Sequence, residues 1–186
     1  LHRIHGDFPS PLPMVMGHEG AGVVEQVGPG VDSPKVGDHV VLSIGPYCGE
    51  CEVCGAGKFS LCQKPNEMRP IGALFDGTSR LSKGAERISN QSFVSSFAEY
   101  AVVPATGAIP VRKDAPLDTI ALVGCGVTTG VAAVFNDAKV SPGQRVAVFG
   151  CGGVGLNAVQ AASLAGAEVV IGVDLLDSKL ALAEEF

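Results

Sequence analysis

Basic residues are few in this chain: 13 lysines and arginines stand against 19 aspartates and glutamates, a formal net charge of -6. No basic stripe gathers them on any segment. That absence argues against DNA, RNA and anionic membrane partners, which need a cationic face. A secretory signal is also lacking, so a disulfide framework is not expected from the six cysteines. Neither an internal repeat nor a low-complexity tract is present. The chain starts at Leu1 without a methionine and stops at Phe186 inside a helical pattern, so both ends are expected to be cut. One uncharged run, 146–167, is long enough to suggest a membrane span. Its five glycines, with Asn157 and Gln160, fit a buried strand, turn and helix better, and no membrane partner is expected.

What is present begins with four cysteines in fifteen residues: Cys48, Cys51, Cys54 and Cys62. The spacing Cys-x2-Cys-x2-Cys-x7-Cys brings four thiolates within reach of one tetrahedral ion. The surrounding PYCGECEVCGAGKFSLC is small, polar and glycine-rich, and cannot bury a core of its own. A structural Zn2+ with no open coordination position would supply the missing folding energy. A pair of disulfides is the alternative. Occupied, the site would make the acidic chain more acidic still.

Hydrophobic residues make up 46% of the 186 positions and charged ones 17%, the balance of a globular protein with one sizeable core or two small ones. Residues 1–16 read as a proline-rich loop. AGVVEQV, KVGDHVVLS, FAEYAVV and AIPVR read as strands, and the polar stretch 63–95 as a surface excursion. From about residue 115 the period changes. DTIALVGCGVTTGVAAVFNDAKV has helical character, and RVAVFG, GVGLNAVQAASLAG, AEVVIGVD and DSKLALAEEF alternate strand, helix, strand, helix, with Asp177 a candidate cap. That alternation opens a parallel α/β sheet. The expected fold is α/β plus β: a β-rich domain followed by the first half of a doubly wound sheet.

Gly150-Cys151-Gly152-Gly153-Val154-Gly155 matches G-x-G-x-x-G between a strand and a helix. Its glycines permit the tight turn, admit a pyrophosphate to the backbone and let helix and strand pack closely. Asp174 ends the next strand, 19 residues after Gly155, where a carboxylate can bind both hydroxyls of an adenosine ribose. It would repel a 2′-phosphate, so NAD is expected over NADP. Lys179, five residues on, can reach the same ribose or simply sit on a helix surface. Two further donors are framed by glycine, His18 in Gly-His-Glu-Gly and Cys125 in Gly-Cys-Gly. Each alone could be core filler. Beside a nucleotide cradle they raise the prospect of an open metal site.

Together, GHEGAGVVEQVGPGV, the cysteine quartet, GCGVTTG and GCGGVGLNAVQ with Asp174 resemble the zinc-dependent medium-chain alcohol dehydrogenases, and the likeness runs over essentially the whole chain. The resemblance implies a GroES-like zinc-binding catalytic domain over 1–126 and the start of a Rossmann NAD-binding domain over 127–186. It implies His18 and Cys125 as catalytic-zinc ligands with Glu19 close behind the metal, and His2 as the terminal proton-relay histidine. Thr129 and Val154 would contact the nicotinamide, and Ile44 would line the substrate pocket. The family's first zinc thiolate would lie before Leu1. Two zinc ions per complete subunit, NAD, a homodimer and a cytoplasmic location are implied by the same likeness. The implied reaction passes hydride from a primary alcohol, aromatic ones included, to NAD+, giving an aldehyde. The long segment between Cys62 and Phe97 also resembles the thiol-adduct formaldehyde dehydrogenases of the family. The 186 residues alone are expected to be inactive.

Overall fold

The computed structural model describes residues 2–186, with side chains from Arg3 onward, so the relay role expected of the His2 side chain lies outside the described residues. The chain divides into two compact units, 1–124 and 125–186.

The first unit opens with a short helix α1 (His2–His5) and strand β1 (Met14–Val15). Strands β2 (Gly20–Val23), β3 (His39–Leu42) and β6 (Ala108–Val111) form an antiparallel sheet in the order β2-β3-β6. Gly20 faces Leu42, and Leu42 faces Ala108. Gly20, Val40, Val41 and Ala108 are its buried residues, and the consecutive Val40 and Val41 point to opposite faces of the sheet, so both faces are covered at the centre of β3. The cysteine loop between β3 and the later strands carries helix α2 (Glu52–Gly55), and α3 (Lys64–Met68) follows it.

The polar stretch 63–95 is more than a surface excursion. It supplies α3 and a hairpin of β4 (Leu81–Lys83) and β5 (Glu86–Asn90), with β5 pairing parallel to β1. It also supplies Ala73, Leu74, Phe93 and Val94, all buried, with the Phe75 and Phe93 rings 5.2 Å apart. The apolar residues that make this second core come in two short runs, 73–75 and 93–94, separated by polar sequence and too short to show a period. Conversely, FAEYAVV forms no strand. Phe97 donates its N–H to Met16 O, and Phe97, Tyr100 and Val102 stay exposed.

Helix α4 (Leu117–Ile120) and a single-turn continuation over Ala121–Gly124 end the first unit. The second begins at Cys125, which caps α5 (Gly126–Ala132), and α5 runs on into one wider turn over Ala133–Asp137. Strands β7 (Arg145–Phe149) and β8 (Val169–Val173) then pair in parallel, Arg145 opposite Val169 and Phe149 opposite Val173. Helix α6 (Gly153–Leu164) makes the crossover, and α7 (Asp177–Ala183) comes after β8. Val134, Ala161 and Ala162 form the buried centre, packed by Val146, Ala158 and Val170. Asp177 is the first helical residue of α7 and not its cap. Leu176 holds the cap position, its N–H bonded to Asp174 Oδ1 at 3.1 Å. Among the described residues no single helix is long and apolar enough to cross a membrane.

Candidate functional site

The cysteine loop draws its four sulfurs together. The ligand atoms of Cys48, Cys51, Cys54 and Cys62 lie within 4.8 Å of one another, with Cys54 and Cys62 buried. Cys62 Sγ stands 3.6 Å from Cys48 Sγ and 3.9 Å from Cys51 Sγ, far beyond the ~2.05 Å of a disulfide. All four are free thiols, so the disulfide alternative fails. The Cys48 N–H points at Cys62 Sγ at 3.3 Å. Burial pushes the Cys54 thiol up to about 12, while the Cys54 and Gln63 backbone groups draw Cys51 down to about 6. A metal that took all four would have to displace protons, as structural zinc does. The loop is anchored from outside by Thr106, whose hydroxyl accepts the Tyr47 N–H at 3.2 Å and donates to Tyr47 O at 2.8 Å. Number, softness and spacing of the donors fit a closed tetrahedral zinc site.

His18 and Glu19 lie on the approach to β2, half-buried, with a ligand atom of each within 4.8 Å of the other. Their backbone is gripped from the far side of the unit. Ser95 Oγ donates to Val15 O at 3.0 Å and Phe97 N–H to Met16 O at 3.0 Å. Ser96 N–H reaches Gly17 O at 3.1 Å, and Ser96 Oγ reaches Glu19 O at 2.9 Å. Gly17 has φ +96°, and a Cβ there would fall 2.5 Å from Ser96 Oγ and 2.6 Å from Phe97 N, so only glycine fits. Cys125, the other glycine-framed donor, is half-buried at the start of the second unit. Ile44 lies just past β3, and its carbonyl accepts Arg69 Nη2 at 2.6 Å.

In the second unit the glycine turn joins β7 to α6 as the spacing predicts. Gly150 turns with φ +92°, and its N–H bonds Val173 O at 2.7 Å. A Cβ on Gly155 would overlap Gly150 O outright, so helix and turn meet at backbone contact distance. Gly152 and Gly153 have open space where a Cβ would stand, and α6 begins there. This is a cradle into which N–H groups can point at an anion. Asp174 is held against it: its Oδ2 accepts the Cys151 N–H at 2.8 Å, and Lys179 Nζ lies 3.8 Å away. Those N–H bonds, the Cys151 one foremost, hold its carboxyl below the usual carboxylate range. The Cys151 side chain is buried at the turn as small packing. Helices α5 and α6 cross at Gly130, where a Cβ would stand 2.5 Å from Val154 O. Thr129, the residue before Gly130 on α5, and Val154 on α6 are both exposed. Sequence reasoning had no signal for the Cys151–Asp174 bond or for the Ser96 grip.

Residues 1–114 match the alcohol dehydrogenase GroES-like domain. The S-(hydroxymethyl)glutathione dehydrogenase of Paracoccus denitrificans is 48% identical over 176 residues, 94% of this chain and 47% of that protein. Its namesake from Komagataella pastoris is 46% identical over 180 residues, 97% of this chain and 48% of that protein. Among solved structures, an alcohol dehydrogenase zinc-binding domain protein from Burkholderia ambifaria superposes with TM-score 0.89 at 46% identity, covering 95% of this chain and 48% of that one. Benzyl alcohol dehydrogenase from Acinetobacter calcoaceticus gives 0.83 at 38% identity, covering 99% of this chain and 49% of that one. The chain spans about half the length of the curated relatives it matches. With its GroES-like β-rich part and the opening strands of a doubly wound parallel sheet, it belongs to the zinc-dependent medium-chain alcohol dehydrogenase family, whose cofactors are zinc and NAD.

Proposed function

We propose that the protein is a dehydrogenase that oxidises a primary hydroxymethyl group with NAD+, and that its substrate is a thiol adduct of formaldehyde. The observation that carries the NAD reading is the Asp174 carboxylate bonded to the Cys151 N–H at the mouth of the glycine cradle. The substrate reading is supported by relatives at 46–48% identity that bear the name S-(hydroxymethyl)glutathione dehydrogenase. A second reading, an aromatic primary alcohol, is supported by the likeness to benzyl alcohol dehydrogenase and by a histidine at position 2.

In this reading residues 1–126 are the catalytic domain and 127–186 open the NAD-binding domain of a homodimeric enzyme. Cys48, Cys51, Cys54 and Cys62 hold the structural zinc. His18 and Cys125 are ligands of the catalytic zinc, Glu19 stands close behind, and His2 ends the proton relay. Gly150, Gly152, Gly153 and Gly155 admit the pyrophosphate, Asp174 and Lys179 bind the adenosine ribose, and Thr129 and Val154 face the nicotinamide. When bound, zinc supplies Lewis-acid polarisation of the alcohol oxygen and NAD accepts the hydride. The chain's own residues orient the two partners and carry the proton away.

The test is NADH formation with the formaldehyde–thiol adduct and with benzyl alcohol, for the 186-residue chain and for a form extended at both ends. The extended form should turn over the adduct faster, and the shorter chain should show no turnover. Faster oxidation of benzyl alcohol would establish the second reading, and no oxidation by the extended form would end both.

Asp174→Asn should weaken NAD binding by about tenfold or more, because a charge-assisted hydrogen bond contributes about 1.5–3 kcal/mol. Titration calorimetry checks it. The carboxyl is held below its ordinary range, so its charge is present above about pH 4 and lost as pH falls through the lowered value. Its contribution to NAD affinity should therefore be flat from about pH 6 to 8.

A further inference from the structure

Ser92, Phe93 and Ser95 all have left-handed backbone, with φ of +52°, +67° and +50°. Non-glycine residues in that region cost about 1–3 kcal/mol each and persist only where the surroundings over-determine them. Phe93 and Val94 are 1% exposed and Ser95 2%, so the strained turn is locked in the core. The contacts made at the end of the turn account for the strain. Residues 95–97 donate to the carbonyls of Val15, Met16, Gly17 and Glu19, a run that brackets His18.

Ser96 is the central member. Its N–H and Oγ hold the carbonyls on the two sides of His18, at Gly17 and Glu19. A Cβ on Gly20 would lie 2.7 Å from Ser96 Cβ, so the chain approaches Ser96 closely after His18 as it does before it at Gly17. The peptide before His18 is thus tethered directly, and the chain is caught again one peptide beyond it, at Glu19 O, which limits how far the backbone carrying the imidazole can move. Ordinary packing does not require a hydroxyl at this point, since Glu19 O could bond to water at a half-buried position.

We propose that Ser96 is a positioning residue that sets the His18 imidazole for metal binding through its bonds to Gly17 O and Glu19 O. The inference rests on the reading of His18 as a metal ligand. Partners that orient metal ligands typically contribute 10–100-fold to metal affinity. Ser95 gives a control: its hydroxyl accepts the Gln91 N–H at 2.8 Å and donates to Val15 O at 3.0 Å, and so bonds neither Gly17 nor Glu19.

The experiment titrates Co2+ into the form extended at both ends, with zinc restored to the cysteine loop alone, and monitors paramagnetic broadening of the His18 ring resonances. Ser96→Ala and Ser95→Ala are measured beside the unaltered protein, with loop zinc content and thermal midpoint recorded for each as a check on folding. Ser96→Ala should raise the Co2+ concentration for half-broadening about tenfold or more, and Ser95→Ala should leave it within about twofold. Ser96→Thr, which keeps the hydroxyl, should recover most of the loss. Equal effects of Ser95→Ala and Ser96→Ala would show a merely structural turn and overturn the proposal, as would an unchanged response in Ser96→Ala. No broadening of His18 in the unaltered protein would defeat the ligand reading itself, and this inference with it.

Discussion

Cys54→Ser should empty the loop of zinc and unfold it. Cys54 is 4% exposed among four sulfurs within 4.8 Å of one another, so a serine hydroxyl cannot replace it as a soft, deprotonated donor. The loop 46–62 has little else to hold it: α2 is four residues long, and the Tyr47–Phe59 ring pair and the Thr106 tether fix only its ends. Structural zinc contributes about 10–16 kcal/mol of folding free energy in small zinc-dependent peptides. Losing one of four ligands therefore belongs with the exceptional substitutions, on the order of 4–5 kcal/mol or more. Metal analysis after mild chelation should show the loop zinc gone, and limited proteolysis should cut between residues 49 and 61. Retention of a full zinc complement by Cys54→Ser would show that the quartet is not the site.

Gly155→Ala should disrupt the second unit, and Gly152→Ala should not. At Gly155 the added Cβ would overlap the Gly150 carbonyl oxygen, a backbone atom that no rotamer change can move aside. Relief requires α6 to shift away from the turn, and α6 carries Ala161 and Ala162, both fully buried against Val134. Overpacking a tight contact costs about 1–3 kcal/mol, and more where backbone is the obstacle. At Gly152 the backbone is ordinary, with φ −82°, and the Cβ would meet nothing within 4 Å. That space is where an anion would approach the N–H groups. Gly152→Ala should keep the thermal midpoint while weakening NAD binding, whereas Gly155→Ala should lose both. Equal stability of the two variants would contradict the backbone contact.

The two motifs behind these variants were legible because each is local. Four thiols within fifteen residues can meet only by closing a loop, and three glycines between a strand and a helix mark the turn that joins them, although that strand, β7, is half exposed and not buried as its apolar run predicts. The parallel pair β7–β8 and its crossover helix come from the same local alternation. The stretch 63–95 was not legible. Phe93 and Val94, the most deeply buried of its apolar residues, sit in a polar, irregular sequence, and Phe93 is covered by Phe75 and Arg69, 18 and 24 residues back in the chain. FAEYAVV failed in the opposite sense: its apolar residues have the composition of a strand, yet it forms no strand, and Phe97 bonds Met16 O without a ladder following.

The sequence by itself therefore determined the family, the cysteine quartet, the glycine turn before α6 and the acidic residue that follows β8. Each depends on residue types at short spacing, which the chain carries wherever it folds. Tertiary structure alone decided what fixes those residues in place. Asp174 is held by an N–H 23 residues away, and Glu19 by a hydroxyl 77 residues away. Such bonds form only after the intervening chain has packed, and serine or aspartate in a sequence carries no mark of a distant partner.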